Sequence, residues 1–148
     1  MSLLRNLLDR FRATHPKPLP EPDDKLALGA LMVRVAKSDR IYSVAEISLI
    51  DRVLARHFGL NPVAAAKMRA TCEKLDAAAP GSDRFAALIR EDLPFEARME
   101  ALCDLWLVVL ADGEENPAEV AVVEAARQAL GLSEADGAQA QERARSAT

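Results

Sequence analysis

From Asp23 onward, apolar residues return every three or four positions, the spacing of one face of an α-helix. Leu28, Leu31, Met32 and Val35 make one such face, and Ile47, Ile50, Leu54 and Phe58 make the next. Asn61-Pro62 supplies a cap and a first-turn proline for a helix through about Leu75. Ala79-Pro-Gly-Ser82 stops it, and a short helix with Phe85, Leu88 and Ile89 follows. After Leu93-Pro94, an unbroken stripe runs through Phe95, Met99, Leu102, Trp106, Val109 and Leu110. A further helix carries Val120, Val123 and Leu130, and a last one begins near Ser133 and is expected to fade into a frayed polar tail. No segment alternates with a period of two, so the expected fold class is all-α, a single bundle of seven to eight helices.

The beginning of the chain reads differently. Leu3, Leu4, Leu7, Leu8 and Phe11 recur at helical spacing among Arg5, Asp9 and Arg10, which predicts an amphipathic helix rather than a secretory signal. His15-Pro-Lys-Pro-Leu-Pro-Glu-Pro22 cannot continue it, because proline lacks the N–H donor and restrains its neighbour. Residues 1–22 are therefore read as helix plus linker, and residues 23–148 as the main domain.

Two stretches match at a constant offset of 73. Val35-Ala-Lys-Ser-Asp39-Arg-Ile-Tyr-Ser-Val-Ala-Glu46 falls on Val108-Val-Leu-Ala-Asp112-Gly-Glu-Glu-Asn-Pro-Ala-Glu119. Ile47 and Ile50 then fall on Val120 and Val123, and after the loss of one residue Gly59-Leu60 falls on Gly131-Leu132. Each copy reads as helix, turn with aspartate, helix, Gly-Leu exit: two pseudo-symmetric hairpins. Capping explains part of this. Ser43-x-x-Glu46 and Asn116-x-x-Glu119 both look like a cap residue with a carboxylate at the third helical position, where the acid also meets the positive end of the helix dipole. Capping explains Asp39 and Asp112 less well, because each adds negative charge beside the first.

Composition narrows the function. The 148 residues carry a formal charge of -4, half of them are apolar and only 4% aromatic, which argues against a nucleic-acid surface. Cys72 and Cys103 have no paired ligand spacing and are expected to be reduced core residues. The most apolar run, Leu105 to Ala111, is too short to span a membrane, so a cytoplasmic address is expected, with any membrane association confined to the first helix. No phosphate cradle or nucleophile motif occurs, and His57 reads as a helix-end residue facing the C-terminal dipole, so no catalytic residue is assigned. Glu96, Glu100 and Asp104 recur every four residues and read as a solvated or partner-facing edge.

At the repeated acids the chain resembles the TerB family of tellurite-resistance proteins. That signature is an apolar helix ending in Ala-Asp-Gly, then seven residues from the aspartate to a glutamate. Ala111-Asp112-Gly113 with Glu119 matches it fully, Ser38-Asp39-Arg40 with Glu46 replaces the glycine by arginine, and Trp106 also fits. The resemblance covers about residues 26 to 132. It implies an all-helical pseudo-symmetric domain linked to stress responses, related to the N-terminal part of a membrane-anchored co-chaperone, with acidic residues suggested as metal ligands.

If the hairpins pack about a pseudo-twofold axis, Asp39, Glu46, Asp112 and Glu119 converge, a donor set suited to a hard divalent cation. Residues 100 to 126 hold seven acids and no Lys or Arg. Three readings stay open: a solvated acidic face with ordinary caps; neutralisation by a basic protein partner or by the chain's own Arg34, Lys37 and Arg40; and a bound divalent metal. An EF-hand is excluded by length and glycine position. The expected function is a non-enzymatic stress-response adaptor with an acidic surface and a protein partner. The alternative is a structural or dimerising protein working through its first helix, as monomer or homodimer.

Overall fold

The computed structural model describes residues 19–79, 81, 83–113 and 115–148. The expected first helix, its membrane or dimer role and most of the linker lie outside the described residues. These residues form seven helices and no strand: α1 (Asp24–Lys37), α2 (Val44–Phe58), α3 (Pro62–Ala78), α4 (Asp83–Asp92), α5 (Phe95–Leu110), α6 (Pro117–Ala129) and α7 (Glu134–Ala147). No helix among them is long and apolar enough to cross a membrane.

Capping sets most of the boundaries. Asp23, Ser43, Asn61, Asn116 and Ser133 each accept a backbone N–H at the start of a helix. Gly59, at φ 62°, ends α2 in the left-handed region.

Helices α1 and α5 form the centre. From Ala27 to Val33 every residue of α1 is buried, as is every residue of α5 from Asp104 to Val109. A helix apolar on all sides belongs in a core. These two helices occupy equivalent places in the repeat and pack on each other. α2 touches α5 as well as α1, and α6 touches α1 as well as α5, so each outer helix leans on the other copy's central one.

The repeat reaches further than the hairpin. α3 packs on α1 as α7 packs on α5, and their caps Asn61 and Ser133 stand at matching places in the two copies. Each unit is thus three helices long, with α4 joining them. This also corrects the expected frayed tail. α7 runs to Ala147, capped by a Ser133–Asp136 capping box and seated through Gly137, Ala140 and Ala144. Arg145 anchors its end to Glu115 at 2.6 Å. The small residues that made the tail look featureless are what lets the helix lie close.

Candidate functional site

The turn after each central helix brings the repeated acids together. In the first copy, Ser38 caps α1, Arg40 stands at φ 68°, and Asp39 Oδ1 accepts the Ile41 N–H at 2.9 Å. Ser43 then opens α2 with a complete capping box. The Glu46 N–H donates to Ser43 Oγ at 3.1 Å, and Glu46 Oε1 accepts the Ser43 N–H at 3.0 Å and its hydroxyl at 2.8 Å. One oxygen of Glu46 is thereby used. The other is buried without a partner.

The second copy departs from that pattern. Asn116 Oδ1 accepts from Ala118, one residue earlier than the sequence pattern implies, and no capping box forms. Glu119 is fully buried, and neither of its oxygens accepts a hydrogen bond. Capping thus accounts for Glu46 but not for Glu119. The Asn116 amide instead reaches the other copy's Asp39 Oδ2 at 3.4 Å, joining the two turns.

The two glutamates also feel the aspartates of both turns. Burial pushes Glu119 up to about 8, and the negative charges of Glu46, Asp39 and Asp112 push the same way. A protonated Glu119 lies within reach to donate to Asp39, which favours the neutral form further. Burial also raises Glu46, against the Ser43 hydrogen bonds that lower it, with Asp39 and Asp112 again raising it. Asp39 and Asp112 thus lie near enough to both glutamates to raise each of them.

The chain's own bases, one of the readings left open, do not answer this charge. Arg34 is spent on Asp76 at 2.8 Å and on the Asp76 and Ala79 carbonyls. Lys37 lies over the Tyr42 ring, and exposed Arg40 makes no ion pair with Asp39. Among the described residues, no three acidic, histidine or cysteine side chains already stand in the geometry of a metal cage. The carboxylates are neighbours that have not closed on a common point.

Arg40 occupies a left-handed position that its counterpart Gly113, at φ 89°, fills without strain. An L side chain pays about 1–2 kcal/mol there, offset in part by the greater chain entropy glycine loses. Arg40→Gly is expected to stabilise the protein by about 0.5–1 kcal/mol in urea denaturation; a loss would show that the arginine makes a compensating contact.

A second polar cluster was not legible as such. Asp104, expected on an exposed acidic edge, is only 3% exposed on α5. The His57 ring nitrogen Nε2 stands 2.8 Å from its Oδ2, and Arg56 is 3.6 Å from its Oδ1. Burial pushes Asp104 up to about 6, against the lowering pull of His57 and Arg56. His57 thus meets a buried carboxylate from the other copy. Sequence spacing held one clue: Asp104 falls on Leu31 at the repeat offset, a core position. Cys72 is fully buried, which pushes its thiol up to about 12, and Cys103 is half-buried; neither is in a disulfide.

No curated protein and no solved structure matches this chain. The family model described as tellurite resistance protein TerB matches residues 25–142, from the first turn of α1 into α7 and across both acidic turns. A match over most of the chain, on an all-helical fold with the doubled turn, places this protein in the TerB family.

Proposed function

We propose that this protein is a non-enzymatic adaptor of a tellurite-resistance-associated stress response, working at a cytoplasmic address, whose acidic cluster takes up a hard divalent cation. The observation that carries this reading is Glu119: a fully buried glutamate to which no group donates a hydrogen bond, beside Glu46, Asp39 and Asp112. Burying like charges together is unfavourable unless a proton or a cation offsets them. Oxygen donors alone suit calcium or magnesium better than zinc. An ion would draw Asp39 and Asp112 in from the two turns and so couple occupancy to the outer surface, where exposed Ile41 and Val44 flank the first turn and suit contact with a protein partner.

Calorimetric titration with calcium, magnesium, manganese and zinc tests the ion. At least one of the first three is expected to bind tighter than millimolar, and the Asp112→Asn/Glu119→Gln double variant to lose at least tenfold. If none binds, the cation is abandoned and protein recognition alone remains. A pull-down from native lysate with and without the bound ion, compared with the same double variant, tests the adaptor role. Identical captures in all arms would remove it.

A further inference from the structure

A cavity of about 140 Å³ lies between the start of α1, the end of α2, the end of α4 and one side of α5. Its apolar walls are Leu28, Phe58, Ile89 and Leu93, and the α5 side is lowered by Ala97 and Ala101. An apolar cavity of about 150 Å³ is known to hold a benzene ring, so the space fits one ring and little more.

The polar groups of this cavity are unevenly signed. Asp24, Glu100 and Asp104 line it against Lys25 and His57. Asp104 is the deep one, and although its Oδ2 lies 2.8 Å from His57 Nε2, the two are not aligned as a hydrogen bond and keep unspent bonding capacity. The first copy shows that packing does not require this arrangement. The residue equivalent to Asp104 there is Leu31, fully buried in the core, and the counterparts of His57 are the apolar Ala129 and Leu130. Replacing a core leucine by a buried carboxylate is costly unless something is gained. The cavity wall also already seats an ammonium: Lys25 Nζ stands 5.4 Å from the centroid of the Phe58 ring, within cation–π range.

We propose that this cavity binds a small organic cation, an ammonium group carried on an apolar body about the size of one aromatic ring. The body lies against Leu28, Ile89 and Leu93, and the ammonium donates to Asp104 while Glu100 adds attraction. The three lining carboxylates outnumber Lys25 and His57, which disfavours anions. The site is separate from the four-acid cluster and does not depend on the cation reading there.

Amide NMR spectra of the full chain, titrated with benzylamine, toluene and benzoate at neutral pH, test it. Benzylamine is expected to give saturable shifts confined to the cavity residues, at least tenfold tighter than toluene, and benzoate none. Asp104→Asn should erase the preference for the amine over toluene. Ala101→Leu fills the cavity and should abolish the shifts, with Ala97→Leu as the second filling variant should the first not fold. The proposal is overturned by no saturable shift at millimolar benzylamine, by benzoate binding as well as the amine, by shifts that survive filling, or by a preference that survives Asp104→Asn.

Discussion

Glu119→Gln is expected to stabilise the ion-free protein by about 3 kcal/mol at pH 9 and by almost nothing at pH 4. The carboxyl is raised from 4.5 to about 8 on folding, so between those values the folded state holds a proton the unfolded chain has lost. Stability therefore falls as pH rises through that window, with a slope approaching 1.4 kcal/mol per pH unit for one proton. Glutamine resembles the protonated form and removes Glu119's share of the slope. The full shift corresponds to at most about 5 kcal/mol. The carboxyl is sealed but shallow, and its neighbours relax with it, so the smaller figure is expected. Urea denaturation with a chelator at several pH values reads it directly. A wild-type curve flat from pH 5 to 8 would contradict the buried, unpartnered glutamate. Adding the ion that binds should recover the lost stability in the wild type and leave the variant unmoved.

Gly29→Ala is expected to cost about 2–3 kcal/mol, although alanine is the better helix former. Gly29 lies mid-helix in α1, where a Cβ would meet Cys72 Sγ on α3 at 2.3 Å. The thiol is itself enclosed, with Leu26 O at 3.7 Å, so it cannot simply turn aside. α1 and α3 would have to move apart, loosening the central helix on which the other elements rest. The test is a double-mutant cycle with Cys72→Ala, which removes the clashing sulfur. In that background Gly29→Ala is expected to be nearly neutral, so the coupling equals most of the single-variant loss. Additive losses would show that the close approach is not what the glycine serves.

The family assignment and the acidic cluster have different standing in the sequence. Helix positions followed from period and caps, since Ser43, Asn61 and Ser133 act through neighbours three residues away. The doubled turn was visible because equal offsets survive in a linear string. Even so, a similar local pattern did not yield the same chemistry. Ser43-Val-Ala-Glu46 closes a capping box and Asn116-Pro-Ala-Glu119 does not, the two differing at the cap residue and at the first helical position.

By itself, then, the amino-acid order determined α1 to α6, most of their ends and the duplication, because these depend on interactions spanning one or two turns. Only the tertiary structure decided that Asn116 reaches Asp39, that Glu119 is left without a hydrogen-bond donor, that Arg34 turns to Asp76 rather than to the repeated acids, and that Asp104 meets His57 in the interior. It also turned the polar C-terminal stretch into a docked helix. Each of those outcomes joins residues from different helices. Which face of a helix meets which neighbour depends on how the central pair packs, and that packing is not written at any one position of the chain.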